Sequence, residues 1–357
     1  MPIARRRSAE FVAIISNRPT LARFALSIQT FLDSVYFVVF QLTSALLAPI
    51  KKDSFLYWPF LLTTLILALL AWQYWHRGDA VDGRWMAFRR RFFSRQLWLH
   101  PSARADYSLY FVNALLWPLL FTAVVFNQLD VAHAVDKVVT KEIIGGLNID
   151  ATDILWRALY TVMIFVAYDF GRFVAHCLLH EMPILWEFHK VHHSAEVLTP
   201  MTAFRVHPVD LLVMTWGGIF FSGLVTWAFN TLSHTPVDVF TFLGLNVLLW
   251  LSNTVGNLRH TRVWITYGPW LGKWLISPAH HQLHHSCEPQ HMGCNRGFDI
   301  ALWDRLYGTL VVPSGVEPTF DIGLGDGSGT QWHGVSALLC QPIAALLTRR
   351  RGNTDVN

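Results

Sequence analysis

Apolar residues collect in six long runs, with polar residues gathered between them. The runs are Phe24 to Pro49, Phe55 to Trp75, Ser108 to Asn127, Ile154 to Val174, Leu211 to Asn230 and Val237 to Val255. Each approaches the roughly 20 apolar residues that a helix needs to cross a bilayer core. Backbone in hydrocarbon has no water to bond, and a helix satisfies its polar groups internally. The pattern therefore predicts an all-α fold, a polytopic membrane helix bundle of about six spans. The first run encloses Asp33, so either the span starts later or that acid faces the protein interior. A shorter apolar stretch, Val335 to Leu347, cannot span and is expected to lie in the interface.

Charge suggests an orientation. His76 to Asp106 carries seven arginines, including Arg89-Arg90-Arg91, and the positive-inside rule puts this loop in the cytoplasm near anionic head groups. Lys51 and Lys52, in the turn between the first two runs, oppose that orientation. Gln128 to Asp153, with five acids and two lysines, suits the outer face. Runs five and six form a hairpin that turns in SHTPVD, residues 233–238. If the hairpin crosses twice, segments 176–210 and 256–333 share one membrane face. The basic N-terminus MPIARRRSAEF lacks a clear small-residue cleavage site and is taken as a cytoplasmic tail, and RRRGNTDVN at the other end as disordered.

Composition supports a membrane protein: 53% of residues are hydrophobic and only 15% charged. The net charge of +4 is concentrated in a few segments, which argues for orientation in a membrane and against nucleic-acid binding. Four cysteines without a C-x-x-C pair give no disulfide framework and no zinc ribbon.

The chemistry is in the histidines. Thirteen of seventeen fall between 176 and 291. They form His176-x-x-x-His180, then His189-x-x-His192-His193, then His281-x-x-His284-His285. On a helix, residues three and four apart share a face, so each cluster projects together. A lone H-x-x-x-H is commonly a surface pair, but three clusters on one membrane face form a constellation. Imidazole suits zinc, copper, iron and nickel alike. Eight imidazoles exceed what one four-coordinate zinc needs, and two metals with open positions would use them better.

These motifs, set around a two-run hairpin, resemble the fatty acid hydroxylase and sterol desaturase superfamily of integral membrane di-iron enzymes. The likeness covers Ala167 to Val312 and extends to TAFRVHP (202–208) and WDRLYGT (303–309). His180-Glu181, HKVHH and HSAE (with Glu196) are similar to the alkylglycerol monooxygenase branch. The resemblance implies His176, His180, His189, His192, His193, His281, His284 and His285 as iron ligands, joined by His260 after the hairpin. It implies two iron ions, dioxygen as co-substrate and an external electron donor, whether a reduced pterin, a ferredoxin or a cytochrome. Many relatives carry Asn-Tyr-Gly where this chain has Asn295-Arg296-Gly297. On this reading residues 1–23 are the tail, 24–153 the N-terminal spans and basic loop, and 154–312 a fatty acid hydroxylase-like catalytic domain. Residues 313–357 form the C-terminal loop, interfacial segment and basic tail.

Asp169, Glu181, Glu187 and Glu196 are candidates to orient ligand imidazoles by accepting their second N–H. His207, His280 and His291 are candidates for supporting positions near the site, with His207 also a possible late ligand, and Arg205, Asp304 and Arg305 for ties within the cap. The expected function is oxygen-dependent hydroxylation, monooxygenation or desaturation of a membrane lipid (a sterol, fatty acyl or ether lipid) in a histidine-lined cap facing the cytoplasm. The head group would rest near the cytoplasmic arginines, with the tail reaching the metals through the aromatic-rich spans. The alternative is a membrane metal transporter or metal-binding protein, whose site belongs near the bilayer midplane. A zinc hydrolase of the H-E-x-x-H type is excluded, because His180-Glu181 is followed by Met-Pro-Ile.

Overall fold

The computed structural model describes residues 19–52, 54–77, 81–121, 124–139, 148–242 and 244–354. The N-terminal tail to residue 18, the 140–147 stretch of the acidic segment and the last three residues lie outside them. Among the described residues the fold is mostly helical, with one two-residue hairpin of strands.

Helix α1 (Pro19–Leu46) belongs to a separate unit, residues 1–47. Asp33 lies exposed on it and accepts a hydrogen bond from Gln29 Nε2 at 2.9 Å, so the acid is satisfied within its own helix and needs no protein interior.

Residues 48–357 make the second unit. Helix α2 (Trp58–Trp75) carries Pro59 in its first turn, where the missing N–H is harmless. Helix α3 (Val81–Phe92) holds the three consecutive arginines, so the basic segment is largely helix and not loop; its Phe88 is buried against Trp72. Helices α4 (Pro101–Phe121) and α5 (Gln128–Val138) follow, the latter opened by a capping box between Asn127 and Asp130.

The frame of the unit is the pair α6 (Ile154–Glu181) and α8 (Pro208–Ser233). With α2, these are the three helices long and apolar enough to cross a membrane among the described residues. They cross at Gly171 and Gly217. A Cβ on Gly171 would stand 2.1 Å from the Gly217 carbonyl oxygen, and one on Gly217 would stand 2.4 Å from that of Gly171. Backbone meets backbone here, the arrangement that small residues permit between membrane helices. Gly217→Val must push the pair apart, so a loss of about 1–3 kcal/mol is expected from overpacking. A thermal-unfolding midpoint in detergent that does not fall would refute this contact.

Between the two lies α7 (Pro183–His193), turned from α6 at Met182-Pro183. Beyond α8, His234 adopts φ 55° and ends the helix. The sixth apolar run is not one helix. It comprises an extended stretch, the antiparallel strands β1 (Thr241–Phe242) and β2 (Leu245–Asn246), and the 13-residue helix α9 (Val247–Arg259). At 1.5 Å per residue α9 is about 20 Å long, short of a 30 Å core. The end of α9 nonetheless meets the end of α7, with His260 Nε2 3.4 Å from His192 Nε2. Helix α9 is held on α2 by Thr64 Oγ1 donating to Thr254 O at 2.9 Å and by Phe60 edge-on to Trp250.

The short helices α10 (Pro278–His284) and α11 (Leu302–Tyr307) fold over this end. Helix α12 (Val335–Thr354) contains the stretch expected to lie in the interface, but Leu338 is fully buried among Ala105, Leu109, Val191 and Trp332. That segment braces α7 from behind.

Candidate metal centre

The histidine spacings place their imidazoles in two adjoining groups. His176, His180, His189, His193 and His284 bring one nitrogen each to within 4.8 Å of one another; His192, His260, His281 and His285 do the same beside them. All nine predicted residues are present, from segments as far apart as 176–193 and 281–285. Neither H-x-x-H-H motif serves a single group. In α7 the i, i+4 pair His189 and His193 enters the first group, and His192, rotated by about 100° from His193, enters the second. The second motif reverses the assignment: His281 and His285 pair in the second group, and His284 crosses to the first. His176 and His180 from α6 complete one group, and His260 at the end of α9 completes the other.

Four of the nine tautomers are set from outside the groups. His176 Nδ1 donates to Arg296 O at 2.7 Å, and His284 Nδ1 to Cys294 O at 2.6 Å. His189 Nδ1 donates to Asp210 Oδ2 at 2.8 Å, and His192 Nδ1 to Arg205 O at 3.3 Å. A carbonyl oxygen only accepts, so the ring proton sits on Nδ1 and the Nε2 of a neutral ring carries a lone pair. Nε2 atoms, that of His180 included, face each other across the first group: His176 to His189 at 3.1 Å, His180 to His176 at 3.2 Å and His180 to His284 at 3.3 Å. In the second group His281 to His260 is 2.9 Å and His285 to His281 is 3.2 Å. Convergent lone pairs repel, and a cation among them converts the conflict into coordination. Burial also keeps the rings neutral. It holds His260 and His284 down to about 3, and His192, His193, His281 and His285 well below the usual imidazole range, helped by neighbouring imidazoles. The residues therefore fit two resident metal ions.

Asp210 was not anticipated. It is 1% exposed and lies in the first turn of α8, where sequence shows only an ordinary helix N-terminal acid three residues after His207. A carboxylate behind a ligand imidazole raises its basicity and fixes its orientation. Asp210→Asn is expected to weaken metal retention by the first group about 10–100-fold while leaving the second unchanged. Chelator titration of metal-loaded protein measures this, and two unaltered release steps would contradict it.

The other expected supporting residues have different partners. Asp169 accepts from the backbone N–H groups of Asp299 and Ile300 and from Trp303 Nε1, with no imidazole among these. Two turns before His176, it anchors the segment that leads into α11. Glu181 accepts from Arg296 and Tyr307, Glu187 from Lys190, and Glu196 from His333 Nε2 at 2.6 Å. His207 caps α8 by accepting from Val209 N. His280 accepts from Ser277 and donates to Gly272 O, and His291 bonds Ser286 Oγ. None of these three joins either group. Arg205 and Asp304 do tie the cap. Asp304, fully buried, accepts from Arg296 N, Gly297 N and Thr309 Oγ1 and so shapes the turn whose carbonyl holds His176. Arg305 stacks over Trp274.

The groups open onto a cavity of about 450 Å³. His176, His189, His192, His260 and His281 form its metal-facing wall, and side chains such as Phe204, Leu211, Met214 and Leu249 form apolar walls. It shares Tyr168 and Leu249 with a second, mostly apolar cavity of about 560 Å³ that reaches Ile164 and Phe165.

With this geometry, comparison of the sequence with known proteins is decisive. Residues 161–309 match the sequence model described as Fatty acid hydroxylase. Over this segment the chain is similar to the fatty acid hydroxylase family. Among curated relatives, ornithine lipid hydroxylase OlsE of Rhizobium tropici is 30% identical over 202 residues, 56% of this chain and 54% of that protein. Delta(7)-sterol 5(6)-desaturase ERG3B of Gibberella zeae is 32% identical over 166 residues, 46% of each chain. Alkylglycerol monooxygenase of Xenopus tropicalis is 29% identical over 169 residues, 46% of this chain and 33% of the relative. The matched region thus spans about half or less of these relatives. No solved structure matches the chain. The fatty acid hydroxylase segment contains all nine histidines of the two groups.

Proposed function

We propose that the protein is a multi-pass integral membrane di-iron enzyme that oxidises a membrane lipid with dioxygen, by hydroxylation, monooxygenation or desaturation. One observation carries the reading: nine imidazoles, eight buried and that of His180 half-buried, stand in two adjoining groups at the wall of a cavity otherwise mostly apolar. His176, His180, His189, His193 and His284 would hold one iron, and His192, His260, His281 and His285 the other. When bound and reduced, the iron pair supplies the oxidising power that an unactivated C–H bond requires. The protein residues bind, orient and exclude water. Asp210 and the carbonyls of Arg205, Cys294 and Arg296 aim the rings, and the apolar cavity walls keep a lipid dry beside them.

Electrons come from a separate donor, a reduced pterin, a ferredoxin or a cytochrome, and the basic helix α3 supports a cytoplasmic orientation for the site. The named activities of the relatives support a lipid substrate. The transporter alternative is disfavoured, because the imidazoles gather at helix ends under a folded cap and not on broken helices at mid-depth. The test is metal analysis of purified protein followed by whole-lipid mass spectrometry with and without oxygen. About two irons per chain and an oxygen-dependent conversion of one lipid class are expected. Metal flux into vesicles with no lipid oxidised would overturn the reading.

A further inference from the structure

Along α6, the residues lining the interior follow one helical face: His176 at the metal groups, Arg172 one turn earlier, Tyr168 two turns earlier, then Phe165 and Ile164. Arg172 is an ionisable residue within a helix long and apolar enough to cross a membrane. A cation in such a place is costly and marks function unless an acid pairs with it. Among the described residues its guanidinium has no hydrogen bond or ion pair, only aromatic faces, with Cζ 3.7 Å from the Phe298 ring centroid and 5.6 Å from that of Tyr168. The acids around the cavity have other hydrogen-bond partners, and only the Asp169 carboxylate, one turn before Arg172, also acts on it electrostatically. Asp210 accepts from His189, and Asp169 from two backbone N–H groups and Trp303. Asp299 accepts from Arg259 and Ser252, both at 2.6 Å. Stacking on Phe298 fixes the guanidinium plane and leaves its N–H edge for an external oxygen acceptor.

We infer that Arg172 binds the anionic group of the substrate, a carboxylate or a phosphate, so that the lipid lies with its polar end at the metals and its tail pointing away. This rests on the proposed lipid-oxidising function and reverses the orientation expected from the cytoplasmic arginines. Arg172 is about 6 Å from His176 along the helix axis, a distance of a few bonds. The oxidised carbon therefore belongs to the head-group end of the lipid and not to the remote tail. The tail runs past Tyr168 and Leu249, the two residues common to both cavities, into the larger one. Two bound metal ions among neutral imidazoles make the cavity more electropositive still, which favours the same end of the lipid.

Three probes with the same C16 tail separate the possibilities: palmitate, hexadecyl phosphate and hexadecanol. Each is radiolabelled and its binding measured in phosphatidylcholine nanodiscs, with partitioning into empty discs subtracted. The anionic probes should bind about tenfold or more tightly than hexadecanol, as a charge-assisted hydrogen bond requires. The tighter of the two anions identifies the acceptor chemistry. Arg172→Leu should remove the preference and Arg172→Lys retain part of it, with helicity by circular dichroism and metal content unchanged in both. In cobalt-loaded protein the preferred anion should also shift the visible ligand-field spectrum, because its polar end lies beside the metals. Equal binding of hexadecanol, a preference that persists in Arg172→Leu, or an unmoved cobalt spectrum would overturn the inference. A chain that takes up no metal yet keeps an Arg172-dependent anion preference would overturn the di-iron proposal, and with it the placement of the polar end at metals, and leave only the Arg172 anion site standing.

Discussion

Replacing His192 with alanine is expected to leave the protein folded, holding about one iron per chain and without measurable lipid oxidation. The expectation follows from the unequal groups. His192 is one of four imidazoles in its group, and its removal leaves three. His180 is one of five, and His180→Ala leaves four, still enough to retain a metal. The two variants should therefore diverge. His180→Ala should keep close to two irons and lose activity by roughly the 10–100-fold that attends loss of an outer partner, whereas His192→Ala should lose more. Metal analysis by mass spectrometry on protein of matched helicity, with turnover on the same samples, makes the comparison. Two irons retained in both variants, or all iron lost from both, would sink the division of the nine histidines into five and four.

That division was only half legible in the sequence. The H-x-x-x-H and H-x-x-H-H spacings mark ligand-bearing helices because helical geometry is local, and all nine histidines are recoverable from motif and resemblance. Which group each ring joins is not local. It depends on α7 and α10 facing each other so that the odd histidine of each motif crosses over. The groups that aim the rings were less visible still. Three of the four are backbone carbonyls, of Arg205, Cys294 and Arg296, and every residue has one. The fourth, Asp210, looks like a helix-start acid. Conversely, acids close in sequence to the histidines were overread: Glu181 and Glu196 pair with Arg296 and His333. Hydropathy located α2, α6 and α8 well. It failed at 237–255, where a continuous apolar run folds as an extended hairpin and a 13-residue helix, because apolarity reports burial or lipid contact and not helix continuity.

Arg205→Met is expected to cost about 3–5 kcal/mol of stability, the largest effect of any substitution away from the metal groups. Arg205 is fully buried and reaches five partners. It pairs with Asp106 at 2.9 Å and donates to the carbonyls of Val191, Ser102 and Trp332 and to Ser194 Oγ. One guanidinium thus joins α4, the end of α7 and the segment before α12. Methionine fills much of its volume, but strands the Asp106 carboxylate in the interior with only Thr202 Oγ1 as a donor. The double variant Arg205→Met, Asp106→Leu separates charge from hydrogen bonding. It removes the stranded anion and should recover part of the loss, while the guanidinium's bonds to Ser194 and to the carbonyls stay lost and keep recovery incomplete. Urea unfolding in mild detergent reads both. Metal content reads the consequence for the site: the Arg205 carbonyl holds His192, so a displaced 199–205 turn should loosen metal in the four-histidine group before the five-histidine one. Uniform loss from both groups would mean that Arg205 supports the cap as a whole and does not position His192.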